Sequence, residues 1–476
     1  MKASPDDLMR VLRSHPRVSG AALCRLLGGI NRSTLMRLAD RLGEEVIRRG
    51  GSRRSRYALR RALRGNSSAL PLYRVDAQGQ GHEVATLDLT APEGCALAFT
   101  RPCPWPLADD LMRDGWFEGL PYFLADMRPQ GFLGRHFAHA HARTLEVAED
   151  LNAWSEEDVL HVLRTFGDDP GGDLILGDQA YARYLDARPG REASLVTDVR
   201  LVQAYPALAA QALQHGVAGS SAAGEFPKFT ALRQIRDEPV AVIVKFSGVD
   251  RSAAVQRWAD LLVCEHLALD TLADQLAIAA ATSRIYQQDG RTFLEVERFD
   301  RQGLHGRLPL CSLASLGGAL LGTTGASWPA SAMAMQRQGW LTAEAVQQVA
   351  LIWWFGRLLA NSDMHEGNLS FQPLSSGGMG GMGGMGGMGG LSALGELCVA
   401  PVYDMLPMRY APQRGGEIAP QTWLPPLPLP GEAESWQKAA RAALVFWQRC
   451  ASDSRISAGF RAICDENQRA LMRLLA

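Results

Sequence analysis

Residues 358–371 read LLANSDMHEGNLSF, and residues 399–406 read VAPVYDML. In the first stretch Asp363 and Asn368 stand in the spacing D-x-x-x-x-N. In the second, Asp404 follows a short apolar run that reads as a strand. Phosphoryl transfer needs these parts. One carboxylate accepts the proton of an attacking hydroxyl, while a carboxamide and a second carboxylate offer oxygen to Mg²⁺, which keeps several waters and takes few protein carboxylates.

Working outward, PVAVIVKFS (239–247) sets Val240, Val242 and Val244 against Ala241, Ile243 and Lys245, the period-two pattern of a strand. The next helix, RWADLLVCEHLALDTLADQL (257–276), carries Glu265 inside an apolar run. A buried Glu needs a partner, and Lys245 is expected to supply it, as the strand Lys and helix Glu of protein kinases do around nucleotide phosphates. Before that strand lies GVAGSSAAGEFPKFTAL (216–232). Gly216, Gly219 and Gly224 with Ser220 and Ser221 let backbone N–H groups approach a polyanion, and Lys228 follows. It is not a Walker A loop, because EFP separates Gly224 from Lys228. RTFLEVERFDR (291–301) reads as a strand running into a charged connector, where a hinge would stand.

The chain has 476 residues, 47% of them apolar and 21% charged, which fits a multi-domain globular protein and excludes a disordered or disulfide-stapled one. The net charge of −1 hides an asymmetry. Residues 1–64 hold 16 Lys/Arg and 5 Asp/Glu, a balance of +11, so the rest carries −12. Leu8, Val11 and Leu12, then Leu23, Leu26 and Leu27, then Leu35, Leu38 and Leu42 mark three short helices. Val46-Ile47 and Tyr57–Leu59 flank a Gly50-Gly51 turn as a hairpin wing. The pattern is a winged helix-turn-helix. Arg32, Ser33, Thr34 and Arg37 on its third helix are expected to meet DNA, and Arg53, Arg54 and Arg56 on the wing its phosphates.

Residues 70–99 alternate as a β-meander, and TLEVAEDLNAW (144–154) and SEEDVLHVLRTF (155–166) read as helical. His136, His139 and His141 lack the acidic company of a metal site and read as surface or second-layer groups. The eight cysteines form no CxxC and read as reduced, mostly buried thiols. No signal peptide or apolar run of membrane-spanning length occurs, so the expected location is the cytoplasm. GGMGGMGGMGGMGG (377–390) reads as a surface-loop expansion, and TWLPPLPLPG (422–431) as a rigid connector. Trp353, Trp354 and Phe355 in AEAVQQVALIWWFGRLLA (343–360) are expected in the core.

The order Gly loop, strand Lys, helix Glu, D-x4-N and strand Asp, with the phrases VERFDR (296–301), DMHEGNLSF (363–371) and PVYDML (401–406), resembles the HipA family of kinase toxins over about residues 70–470. The fused head makes it most similar to the single-chain, YjjJ-like branch. Two-gene systems of the family use a separate DNA-binding antitoxin. The resemblance implies an α+β chain: a winged helix-turn-helix over 1–64, a β/α subdomain over 65–200, a kinase N-lobe core over 201–305 and a helical C-lobe over 306–476. It implies a serine/threonine kinase using ATP and Mg²⁺ that phosphorylates a translation component such as an aminoacyl-tRNA synthetase and arrests growth. Asp363 would be the base, His365 its support, and Asn368 and Asp404 the Mg²⁺ ligands. Lys245 and Lys228 would meet phosphates beside Gly219, Ser220 and Ser221, and Glu297 and Phe299 would hold adenine. The family autophosphorylates a Ser in or beside the Gly/Ser loop. Gly216 stands at that place here, which leaves Ser220 and Ser221 as the nearest acceptors. Two rivals remain: a non-catalytic regulator that senses ATP and binds DNA, and a small-molecule kinase of related fold.

Overall fold

The computed structural model describes residues 3–214, 226–322, 325–374, 395–413, 416–418 and 422–475. The Gly/Ser-loop residues Gly216, Gly219, Ser220, Ser221 and Gly224 and the Gly/Met repeat lie outside them. The architecture is mixed α and β. At the head, helices Pro5–Ser14, Gly20–Leu26 and Arg32–Leu42 pack on a three-stranded sheet in the order Val18–Ser19, Arg56–Leu59, Val46–Arg49. Ser4, Ser19 and Asn31 cap the three helices through their side-chain oxygens. Leu8, Leu12, Leu23, Leu35 and Leu38 close the small core with Tyr57.

The head is tied to the body by charge. Arg49 and Arg60 both ion-pair with buried Asp88 on the Gly81–Leu89 strand. Arg64 meets Asp158 at 2.7 Å, and Arg61 meets Glu157 at 3.6 Å. Part of the basic excess of residues 1–64 therefore answers acids within the same chain.

The meander appears as expected, in a five-stranded sheet ordered Trp116–Phe117, Cys95–Phe99, Gly81–Leu89, Leu70–Val75, Leu174–Leu176. The Ser155-capped helix Glu156–Phe166 also appears. The helix expected over 144–154 does not. The helix there is Gly131–Leu145, which ends at Glu146 with φ 52°. Its His136 ring tilts against Phe132 with centroids 4.5 Å apart, and His141 lies between Phe137 and Phe166 at 4.8 Å from each. Buried Asp173 precedes the Leu174–Leu176 strand, and burial pushes its carboxyl up to about 6. Its folded pKa lies above the ordinary 3.8, so its contribution is full below pH 3.8 and is lost as pH rises through 6. Asp173→Asn is therefore expected to stabilise the chain at pH 8 by up to about 3 kcal/mol and to change little at pH 3.5. Urea unfolding at the two pH values measures this, and equal effects at both would contradict it.

A second five-stranded sheet is ordered Ser283–Gln288, Arg291–Glu297, Glu238–Phe246, Lys228–Ile235, Leu195–Val196. The Lys245 strand is central, so the alternation of its residues is absolute. Val242, Val244 and Phe246 face the Asp198–Gln214 helix with Tyr205 and Phe293, and Lys245 faces the other way, toward the Ala253–Leu276 helix. The C-terminal half is helical, with Ala343–Leu358, Ala433–Ser452 and Ala458–Leu475 packed side by side. Among the described residues no helix is long and apolar enough to cross a membrane. All eight cysteines are free thiols, and Cys95, Cys264, Cys311, Cys450 and Cys464 are buried.

Candidate active site

Lys245 sits at the meeting point of three elements. Its Nζ donates to both carboxylate oxygens of Glu265 at 2.8 Å and to Asp404. Glu265 is fully buried in the middle of the Ala253–Leu276 helix. Burial raises its pKa against the pull of Lys245. Burial pushes Asp404 the same way, but Lys245 and then Lys228 outweigh it and hold that carboxyl below its ordinary 3.8. Lys245 itself is held above its usual value, because Asp404 and Glu265 overcome the cost of burying its charge. The ammonium thus stays charged at neutral pH. Lys228 opens the neighbouring strand directly opposite Lys245 in register, on the same site.

The loop that carries Asp363 is shaped by the end of the Ala343–Leu358 helix. Ala360 takes a left-handed turn at φ 60°. Its N–H bonds the carbonyl of Arg357 at 3.2 Å, and the N–H of Asn361 reaches back to Gly356 at 3.0 Å. This is a Schellman closure with Ala where Gly is usual. Asn361 Oδ1 then accepts the N–H of Asp363 at 2.9 Å, and Asn368 Nδ2 donates to the carbonyl of Asp363 at 2.9 Å. His365 caps the Glu366–Asn368 turn, accepting the N–H of Gly367 on Nδ1 at 3.1 Å. His365 thereby holds the turn that leads to Asn368.

A short sheet brings the loop and Asp404 together. Ser370–Pro373 lies between Cys311–Ser312 and Leu397–Val399, with Phe371 opposite Val399. Tyr403 Oη donates to the carbonyl of Gly367 and accepts from Ser370 Oγ, both at 2.8 Å. Asp404 then adopts φ 55°, a conformation that costs a non-glycine residue energy and that is held where neighbours over-determine it. Removing this tie by Tyr403→Phe is expected to cost about 1–2 kcal/mol, seen as a lower midpoint in chemical unfolding; a variant as stable as wild type would contradict it.

The donor set suits a hard cation. Asp404 offers carboxylate oxygen. Asn368, its amide nitrogen engaged by Asp363, presents Oδ1. Oxygen-only donors match Mg²⁺ rather than a soft metal.

The expected hinge residues pack against neighbouring elements. Glu297 gives its N–H to the carbonyl of Thr282 at 2.8 Å, and its Oε1 pairs with Arg284 at 2.8 Å. Phe299 leans on Tyr403 with ring centroids 5.7 Å apart. The charged connector that follows is not a surface segment. Arg298 and Arg301 both grip Asp300, and Arg301 reaches Asp169 at 2.8 Å across 132 residues of sequence. Local spacing carries no signal of this knot.

The arginines of the head make contacts within the chain. Arg54 meets Asp110 and Asp114 at 3.3 Å each, and Arg56 donates to the carbonyl of Arg17 at 3.0 Å, so both are engaged within the chain. Arg32 donates to the carbonyl of Ser52 at 2.8 Å. Arg37 donates to Thr34 at 3.1 Å, and Arg32, Ser33, Arg37 and Arg53 are exposed. Trp354 and Phe355 are core, but Trp353 is only half-buried.

The chain matches the profile described as HipA-like C-terminal domain over residues 220–471 and that described as YjjJ-like toxin, middle domain, over residues 66–185. An Escherichia coli (strain K12) protein named Toxin YjjJ is 37% identical over 462 residues, spanning 97% of this chain and 96% of its own. This chain is a YjjJ-like member of the HipA family. Among solved structures, Shewanella oneidensis MR-1 HipA, determined with HipB and operator DNA, is similar at 15% identity, with 85% of this chain and 96% of that chain covered and a TM-score of 0.47. The Helicobacter pylori proinflammatory kinase CtkA is similar at 13% identity over 52% of this chain and 89% of its own, with a TM-score of 0.33. In this YjjJ-like chain the matched C-terminal region contains Lys245, Glu265, Asp363, Asn368 and Asp404 together.

Proposed function

We propose that this HipA-family chain is a serine/threonine protein kinase toxin of the cytoplasm. It transfers the γ-phosphoryl group of ATP to a protein, in the family's manner a translation component such as an aminoacyl-tRNA synthetase. The observation that carries the reading is the Lys245 ammonium, locked between Glu265 and Asp404 and joined through Tyr403 to the Asp363 loop. A cation held charged at that depth suits nucleotide phosphates. Lys228 adds a second cation beside it.

In the reaction Asp363 takes the proton from the acceptor hydroxyl as that oxygen bonds phosphorus and the bond to the ADP oxygen breaks. Asn368 and Asp404 would hold Mg²⁺, which when bound neutralises charge on the phosphates. Phe299 and the backbone beside it would line the adenine side. Ser220 and Ser221 remain the proposed autophosphorylation sites. Phosphate there would repel ATP and switch the enzyme off.

The head is proposed to bind DNA through Arg32, Ser33, Thr34, Arg37 and Arg53. Its three helices, antiparallel strands and exposed third-helix arginines support this reading. It would serve the chain's own promoter or stand in for the separate antitoxin of two-gene relatives.

The test is incubation of the full chain with labelled Mg-ATP, alone and with cell lysate, followed by mapping of phosphosites. Label on Ser220 or Ser221 and on a lysate protein is expected. ATP binding with no transfer would overturn the kinase and favour the ATP-sensing regulator. Transfer to small molecules only would favour the small-molecule kinase.

A further inference from the structure

One face of the Ala343–Leu358 helix has no part in the roles assigned so far. Trp353 rests on Trp328 with ring centroids 5.6 Å apart and keeps part of its surface outside, while its neighbours Trp354 and Phe355 are 2% and 0% exposed. One turn further, Arg357 is exposed. Its guanidinium carbon stands 5.7 Å from the centre of the Trp353 ring and 5.1 Å from that of Trp354. Among the described residues no carboxylate pairs with it and no hydrogen bond ties it down; it lies against the two rings. Apolar packing explains Trp354 and Phe355. It does not explain an arginine laid over indole faces at the mouth of a recess.

That recess measures about 400 Å³, and Trp353 and Arg357 share its wall with Asp363 and His365. The left-handed turn at Ala360 brings the catalytic loop back onto the face that Arg357 occupies. A hydroxyl about to lose its proton must come within hydrogen-bond reach of Asp363. The chain that carries it then passes through this recess. Asp363 by itself repels an acidic segment, and Arg357 is the permanently charged cation of that wall. Cation–π contact with the indole rings restrains the guanidinium before anything binds, which lowers the ordering cost of recognition. Its outer edge is a planar fork suited to a carboxylate. A nucleic acid would call for a row of cations along its backbone, whereas this wall carries a single arginine.

We propose that Arg357, seated on Trp353, is a specificity-determining residue that receives an acidic side chain flanking the acceptor hydroxyl of the protein substrate. The proposal rests on the reading of Asp363 as the group that meets that hydroxyl.

Binding without turnover tests it. Fluorescent peptides with one central Ser, flanked by Glu, by Gln or by Lys, are titrated with the full chain in Mg²⁺ and a non-hydrolysable ATP analogue. The Glu peptide is expected to bind about tenfold more tightly than the Gln peptide, with the gap narrowing as salt rises. Arg357→Ala should erase the preference, and Arg357→Glu should turn it toward the Lys peptide. Trp353→Leu should reduce it. The wild-type Glu-to-Gln ratio decides the matter even where a variant misfolds. Equal affinities in wild type, or a preference that survives in Arg357→Ala, would overturn the assignment. So would Arg357-dependent capture of a single-stranded RNA oligonucleotide with no Glu preference among the peptides. Phosphoryl transfer is assayed separately. Its absence would remove the kinase reading, whereas an Arg357-dependent acid preference would still stand.

Discussion

Asp363→Asn is expected to lower phosphoryl transfer by about 10²- to 10⁴-fold, the range for loss of a general base, while leaving the loop in place. The reason lies in which atoms hold the residue. The loop's hydrogen bonds to Asp363 use its backbone: its N–H donates to Asn361 and its carbonyl accepts from Asn368, each at 2.9 Å. Asn preserves both and has nearly the same shape. What disappears is the carboxylate proposed to take the hydroxyl proton. Stability should therefore shift by no more than about 0.5 kcal/mol, and stabilisation of the chain by Mg-ATP against heat should persist. Single-turnover transfer of labelled phosphate, run beside the thermal measurement, separates the two. Transfer within tenfold of wild type would show that Asp363 is not the base. A lost thermal response would show that the substitution disturbed the nucleotide site instead. In cells the same variant should no longer arrest growth.

The parts of this site that could be read from sequence are those set by short-range rules. Alternation over 239–247 puts Lys245 on the face opposite Val242 and Val244, and one Glu in an apolar helical run leaves few choices of partner. The D-x4-N spacing survives folding because Asn361, His365 and Asn368 bond within the loop itself. What escaped reading depends on distant residues. Arg54 reads as a phosphate contact, and local sequence carries no signal of its pairing with Asp110 and Asp114 more than 50 residues on. Arg298, Asp300 and Arg301 look like a solvated connector, because their partners lie near residue 170. The Gly131–Leu145 helix was obscured by its glycines. A Cβ on Gly134 would come within 2.6 Å of the carbonyl carbon of Pro129, so a residue that signals a turn is required here by close packing. Trp353 reads as core because periodicity cannot tell a buried indole from one that floors a recess.

Asp300→Ala tests the best-hidden of these features and should be among the most destabilising single changes in the chain, costing about 3–5 kcal/mol, as breaking a buried ion pair does. Asp300 accepts from Arg298 at 3.0 and 2.9 Å, from Arg301 at 2.7 Å and from the backbone N–H of Gly172 at 3.0 Å. The side chains of Arg298 and Arg301 are 11% and 3% exposed. Without Asp300 two guanidinium groups stay buried with Asp169 as their remaining acid. Arg307, nearby, already has its pKa lowered to about 10 by burial, and Arg301 adds to this. Burial would raise the Asp300 pKa, but Arg298 and Arg301 outweigh it and bring it to about 2. A folded pKa below the ordinary 3.8 means the contribution is present above pH 3.8 and is lost as pH falls through about 2. The gap between wild type and Asp300→Ala in urea unfolding should therefore be wide at pH 7 and narrow toward pH 2. A gap below about 1 kcal/mol at pH 7 would mean the knot is no stronger than a surface ion pair. Asp300 lies three residues beyond the Arg291–Glu297 strand, which pairs directly with the strand of Lys245. Loosening it is expected to weaken nucleotide binding without touching Asp363, an outcome that would make the 168–173 segment a support of the Lys245 site.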